Sequence, residues 1–320
     1  MSMMSKSSAS VFILAMAAGG AAQAGVLDLG ISGANLFSLG NFSASGSDVE
    51  GAVVVAGNLT ASNYSINDKN ADAFGKNNGS GFSLVVGGKL DYSSGSIKHG
   101  SIYAGGGSVL KNTDQNGNSN FVASAPVDFN AMASNAKQLS TSLAQTSATG
   151  TSKIAYGGMT LTGSNKSVEV FDLKGTDLAS VNNFKLAGLS KDATLIFNVS
   201  GANAIGFNQN GVGLDDFKKY NVLFNFYQST ALNIQNVGIQ GSLLAPLASV
   251  TGGSGQINGN VIVGNWLSQV QVNANHYFKQ ANINGYTAPT PVPEPETYAM
   301  LLAGLALVGM VARRRKAGGR

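Results

Sequence analysis

Leu84-Val85-Val86-Gly87-Gly88 returns 18 residues later as Ile102-Tyr103-Ala104-Gly105-Gly106. The same interval separates Gly241-Ser242-Leu243-Leu244-Ala245 from Gly259-Asn260-Val261-Ile262-Val263. An earlier copy, Val53-Val54-Val55-Ala56-Gly57-Asn58-Leu59, matches Leu84-Val85-Val86-Gly87-Gly88-Lys89-Leu90 at 31 residues, as if a loop from Asn63 to Gly81 were inserted into one turn. Apolar runs this short are strands, and the Gly and Asn beside them supply the positive φ that corners require. An interval near 18 holds three short strands and their corners, which is one coil of a β-solenoid. The competing architecture is a β-sandwich with irregular loops, in which such matches would be accidental. Unusually short strands and Gly-rich corners favour the solenoid. The chain therefore reads as mainly β, a parallel β-solenoid whose unpaired edges lie at the two ends of the stack and need covers.

One segment departs from this pattern. From Phe129 to Gln145 there is no Gly, and Phe129, Met132, Ala136, Leu139 and Leu143 recur at intervals of three and four. That spacing predicts one amphipathic α-helix, with Pro126 just before it and Asp128 in its first turn. Its apolar stripe is expected to pack along the flank of the solenoid; a free-standing partner-binding helix is the alternative.

The two ends read as targeting segments. Lys6, the apolar run Val11 to Ala21 and the small-x-small triplet Ala22-Gln23-Ala24 predict a signal peptide over 1–24, cut by signal peptidase to leave Gly25 first. At the other end Pro293-Glu294-Pro295-Glu296 leads into an apolar run from Thr297 to Ala312, closed by Arg313-Arg314-Arg315-Lys316. Sixteen residues fall short of the roughly 20 a spanning helix needs, and Tyr298 with the terminal arginines supplies the missing reach. The reading is a C-terminal transmembrane helix over 297–312 with a basic membrane stop on the cytoplasmic side. Between these ends lie a domain over 25–280 and a Pro/Thr-rich linker over 281–292.

Composition narrows the function. All four arginines are in the tail, and residues 25–292 hold 14 lysines against 14 carboxylates, so the basic balance of the whole chain belongs to its sorting segment. A domain without Arg lacks the guanidinium forks and dense positive stripes of phosphate and nucleic-acid recognition. There is no Cys, so an exported form relies on its core and hydrogen bonds alone. Gly at 42 of 320 with charged residues at 11% would suit a coil, but 43% hydrophobic residues do not.

The order Val292-Pro293-Glu294-Pro295, apolar run and Arg cluster closely resembles the PEP-CTERM sorting signal. The resemblance implies recognition and processing at Pro293, Glu294 and Pro295 by exosortase, transient residence in the inner membrane, and a final place at the cell surface or in the extracellular matrix. A second resemblance, covering about Leu29 to Phe278, is to the choice-of-anchor A domain of bacterial surface proteins. It rests on Ser47-Asp48-Val49-Glu50-Gly51, Val55-Ala56-Gly57-Asn58-Leu59, Leu84-Val85-Val86-Gly87-Gly88-Lys89-Leu90, Val222-Leu223-Phe224-Asn225-Phe226-Tyr227 and Gly259-Asn260-Val261-Ile262-Val263-Gly264. Some members are described as adhesin-like, and the family brings no catalytic residues.

The motifs do not compose an enzyme. A nucleophilic triad needs His beside Ser or Cys; the only histidines, His99 and His276, read as turn or capping residues and are too few for a zinc site. Pectin hydrolases on solenoids use several Asp on adjacent coils with a Gly-His-Gly and an Arg. Here the one acidic doublet is Asp215-Asp216, read as the start of the turn before Phe217-Lys218-Lys219. Calcium ligation by Asp48 with Glu50, or Asp68 with Asp72, lacks the Asp-x-Asp-x-Asp-Gly loop, and these read as solvated loop carboxylates. No cofactor or metal is expected. Non-enzymatic structure or adhesion in an exopolysaccharide or biofilm layer is the leading reading, with exopolysaccharide or a matrix protein as partner. An ice- or ligand-binding solenoid is the alternative, although Thr60, Thr160, Thr162, Thr230 and Thr251 form no ladder in the sequence. A polysaccharide-active enzyme is the third.

Overall fold

The computed structural model describes residues 24–289 except 32, 72–73, 78–79, 116–120, 203–204 and 208–213. These are mainly β, wound as a three-faced, solenoid-like stack of parallel strands. On the first face one ladder runs through Phe171, Phe197, Phe224, Leu243, Val261, Leu36, Val53, Leu84 and Ile102. All nine side chains point inward and are buried. The rings of Phe171, Phe197 and Phe224 stack at 5.3 and 4.9 Å, a geometry that adds to plain area burial. The second face brings Leu232, Val250, Trp266, Phe42, Leu59 and Leu90 inward. The third contributes Ile239, Ile257, Val272, Val49, Ile66 and Ile97 to the same core.

The intervals read from the sequence are the true registers: Leu84 pairs with Ile102, Leu243 with Val261, and Val53 with Leu84. The expected loop from Asn63 to Gly81 is shorter, because Tyr64, Ser65 and Ile66 form the third-face strand of their coil. Phe74–Asn77 then pairs antiparallel with Ser80–Val86.

The coils are not stacked in chain order. From Leu36–Ser38 the chain steps outward to Ser101–Ala104, returns along the flank, and restarts at the far end with Val168–Lys174. It then steps back until residues 261–263 dock beside Leu36–Ser38. The two half-stacks thus meet at a central seam between residues about 225 apart. Buried amides stitch it. Asn35 Nδ2 donates to the Gly259 carbonyl at 2.8 Å, its Oδ1 accepts from Gly51 N at 3.0 Å, and Asn260 Nδ2 donates to the Ala34 carbonyl at 2.8 Å.

A second ladder holds the corner between first and second faces. Asn265 Oδ1 accepts from Asn41 N at 2.9 Å, Asn41 Oδ1 from Asn58 N at 2.9 Å, and Asn58 Oδ1 from Lys89 N at 2.8 Å. Each acceptor lies against the glycine of the neighbouring corner, so a Cβ on Gly40, Gly57 or Gly88 would collide with it. That contact is why Gly stands before Asn at 40–41 and 57–58; at 264–265 the glycine instead faces the backbone of Leu247 and Ala248.

The predicted helix is α1, Phe129–Ala144. Asp128 is its N-cap, accepting from Asn130 N at 2.8 Å and Ala131 N at 3.0 Å. Ala136, Leu139 and Leu143 are buried against Val54, Val85, Leu244 and Ile262, which point outward from the first face. The stripe faces a core, as expected. Polar contacts set its position: Ser140 Oγ donates to Asn225 Oδ1 at 2.6 Å, Asn225 Nδ2 to the Ser140 carbonyl at 2.9 Å, and Asn198 Nδ2 to the Leu143 carbonyl at 2.8 Å.

Beside α1, Ala24–Leu27 and Ala281–Asn284 form an antiparallel ribbon, with Leu27, Ile283 and Tyr286 buried in the same outer core. This moves one boundary: the linker expected over 281–292 begins later, because Ile283 and Tyr286 have apolar side chains to bury. Among the described residues no helix is long and apolar enough to cross a membrane. The apolar run 297–312 lies outside them, as do residues 1–23 of the expected signal peptide.

One end of the stack is covered by a three-stranded sheet, Thr151–Ala155, Gly158–Thr162 and Asn183–Ala187. Its Met159 and Leu161 complete the inner core. A fully buried carboxylate, Glu169, ties this cover on. It accepts from Lys166 N at 3.0 Å, from Ser164 N and Oγ, and from Thr149 Oγ1. Burial pushes its pKa up, but the bonds from Thr149, Lys166 and Ser164 outweigh that and hold it below the ordinary value. At the opposite end Ser108–Asp114 has, among the described residues, a strand partner on one side only.

Candidate functional site

The first face is hidden under α1 and the terminal ribbon; the second is open. Strand alternation sends every other residue outward, and the outward row reads Asn233, Thr251, Leu267, Ser43, Thr60, Asp91, Val109 across the stack. A second row reads Gln269, Ser45, Ser62, Ser93, Lys111. At strand spacing of about 4.8 Å, the longer row spans roughly 29 Å. Thr251, Ser43 and Thr60 are exposed, and Leu267 is 44% exposed. A shallow depression of about 400 Å³ lies among Ser43, Thr60, Ser62, Leu267 and Gln269, at the seam.

Chemically this is a flat array of hydroxyl and amide groups with an apolar patch and no titratable cluster at its centre. Gln269 Nε2 donates to Ser45 Oγ at 3.1 Å, and Asn233 Nδ2 to Thr251 Oγ1 at 3.3 Å, so cross-rung bonds pre-orient parts of it. The third face is also polar, through Gln256, Gln271, Asp48, Ser65 and Ser96. Burial raises the Asp48 pKa against an opposing bond from Gln271, and the nearby Glu50 and Asp68 add to the rise.

Of the residues expected to act in sorting, Ala24 alone falls within the described residues, where it opens the ribbon opposite Asn284. Ala22, Gln23, Pro293, Glu294, Pro295, Arg313, Arg314, Arg315 and Lys316 lie outside them. His99 sits at a corner with φ +58°, as a turn residue, its carbonyl accepting from Asn67 Nδ2 at 3.1 Å. His276 lies far along the chain, its Nε2 2.7 Å from the Tyr220 carbonyl oxygen. Asp215 and Asp216 do start a turn, the 3-10 helix Asp215–Lys219, and pair with Lys218 and Lys219 at 2.8 and 2.7 Å. Of the carboxylates weighed for calcium, Asp72 lies outside the described residues, and the other three are engaged instead of lying free in loops: Asp48 by Gln271, Glu50 by Ala274 N at 3.0 Å, and Asp68 by Lys98 at 2.8 Å. Among the described residues no three His, Cys, Asp or Glu side chains converge to hold a metal.

The second face itself was not anticipated. The signal existed in the sequence: Gly-Asn-Leu at 57–59, Gly-Lys-Leu at 88–90, Gly-Asn-Phe at 40–42 and Gly-Asn-Trp at 264–266 are one corner, and the residue after each triplet points outward.

Two family models match the chain. One, described as an ice-binding-like adhesive domain, covers residues 29–274. The other, the PEP-CTERM protein-sorting motif, covers residues 291–316. No curated protein and no solved structure is significantly similar to it.

Proposed function

Because the chain belongs to the ice-binding-like adhesive domain family and carries a PEP-CTERM sorting motif, we propose that it is a non-enzymatic adhesive of the exopolysaccharide or biofilm layer. The motif implies export, processing by exosortase and sorting to the cell surface. Tethering in the inner membrane through 297–312 before cleavage, and a signal peptide ending at Ala24, complete the route in this reading. The likeness to choice-of-anchor A domains is part of it too.

The single observation that carries the adhesive role is the open second face. Ser, Thr, Asn and Gln make up eight of the twelve residues in its two rows and repeat at strand spacing. One hydroxyl contributes little after desolvation. Many in fixed register act together, so affinity comes from multivalency along a polymer and not from a pocket. Two experiments test the two halves of the proposal. Alanines at Pro293-Glu294-Pro295 leave an unprocessed form in the membrane fraction; unchanged release counts against exosortase sorting. Val in place of both Thr60 and Thr251 removes the hydroxyls without adding charge and weakens adhesion to the producer's own matrix; full adhesion removes the second face from the reading.

Ice remains a second reading, because Thr251 and Thr60 stand on one exposed row with Ser43 between them. Leu267 interrupts that row, and Thr160 and Thr162 sit on the end cover. Absence of thermal hysteresis disposes of it.

A further inference from the structure

We propose that a groove beside the first face binds a carboxylate-bearing polysaccharide, a uronate polymer; this names a ligand class for the adhesive reading above and rests on it. The groove, about 520 Å³, lies between the turn carrying Lys218 and Lys219 and the segment 274–279 that leads into the terminal ribbon. It gathers three of the 14 lysines of residues 25–292: Lys218, Lys219 and Lys279. Asp192 is the one carboxylate among its lining residues.

The three cations differ in how they are engaged. Lys279 is exposed and has no ion pair among the described residues. Lys218 and Lys219 pair with Asp215 and Asp216, but those side chains are 57–84% and 62–70% exposed. Exposed pairs of this kind are weak enough for an incoming carboxylate to share or displace the aspartate. Lysines are point charges without the bidentate fork of Arg, which suits loose, repeated contacts along a polymer more than tight capture of one anion.

The walls fit a sugar acid. Tyr220, Tyr277 and Phe278 are half-buried and offer apolar faces for ring C–H groups beside the charges. The backbone under the cations is held in advance. Lys279 N donates to Asn221 Oδ1 at 2.8 Å, while Asn221 Nδ2 donates back to the Lys279 carbonyl at 2.8 Å. Phe278 N donates to Asn260 Oδ1 at 2.9 Å, and His276 Nε2 lies 2.7 Å from the Tyr220 carbonyl oxygen. Both sides of the groove are thereby tied to first-face strands, so little ordering remains to oppose binding.

The test uses the full chain and alginate, with dextran as the neutral polymer and duplex DNA as the competing polyanion. Wild type is expected to bind alginate and not dextran, and to lose binding at 1 M salt, where screening acts within about 3 Å. The K218Q/K219Q/K279Q variant changes exposed side chains only and should bind alginate about tenfold more weakly. The T60V/T251V variant, which adds no charge, should keep alginate binding. Undiminished alginate binding by the triple variant, equal binding of dextran, or equal binding of DNA would each overturn the proposal. Alginate binding by wild type without adhesion to the whole matrix would sustain the groove and sink the adhesive role, so the two failures are distinguishable.

Discussion

Replacing Asn35 by Ala tests whether the seam between the half-stacks is held by buried amides. Asn35 is fully buried, and its side chain satisfies the Gly259 carbonyl at 2.8 Å and the Gly51 N–H at 3.0 Å. The Ala variant leaves both backbone groups without that partner, at a cost of about 1–3 kcal/mol each. The sum, about 2–6 kcal/mol, is a large part of the 5–15 kcal/mol typical of a whole domain. Asn58→Ala is the matched control: it also removes one amide that bridges coils, at 2.8 Å to Lys89 N, but at an exposed corner where water takes its place. Its expected cost is about 0.5–1 kcal/mol. The assay is urea unfolding followed by the fluorescence of Trp266, the only tryptophan, which is buried on the second-face strand at the seam opposite Phe42. With a slope of about 3 kcal/mol per molar urea, the midpoint of Asn35→Ala should fall by roughly 0.7–2 M with the slope unchanged. A midpoint for Asn35→Ala no lower than that of Asn58→Ala would refute the reasoning.

Leu143→Ala removes a fully buried side chain between α1 and the first face, and should cost about 2–5 kcal/mol in the same titration without changing strand content by circular dichroism. Glu169 makes acid stability testable. Its pKa is held below the ordinary 4.5, so its contribution is complete above that pH and is lost as pH falls through the lower folded value. Glu169→Gln should therefore unfold more easily than wild type at neutral pH, with the gap narrowing below pH 4.5; a gap constant with pH would refute the latch. Gly95→Ala should prevent or severely weaken folding, because Gly95 has φ +108° and a Cβ there collides with the Tyr64 backbone. Soluble yield and thermal midpoint report it.

Coil spacing was legible because the stack dictates it locally. A strand that ends in Gly must stand beside another that ends in Gly, since the neighbour's side chain or carbonyl occupies the space of a Cβ, as at Gly57, Gly88 and Gly106. Helix α1 was legible from its stripe, whereas Asp128, read as a first-turn residue, proved to be its N-cap. The order of the coils was not legible. Leu36-Phe37-Ser38 and Val261-Ile262-Val263 look like any other first-face strands, and nothing in their residue types says that they adjoin each other. The groove was invisible for the same reason, since Lys218 and Lys279 are 61 positions apart and meet through folding alone. The ribbon strand 281–284 was hidden by polar Asn282 and Asn284, which point away from the core, between Ala281 and Ile283, which point into it.

The ribbon of Ala24–Leu27 and Ala281–Asn284 lies on the helix side of the domain and not at either tip of its long axis. The polypeptide that continues past Pro289 toward the sorting segment therefore departs from the domain's back. At Pro289 the chain leaves the domain on the side that α1 covers, so the open second face and the point of departure belong to different sides of the stack.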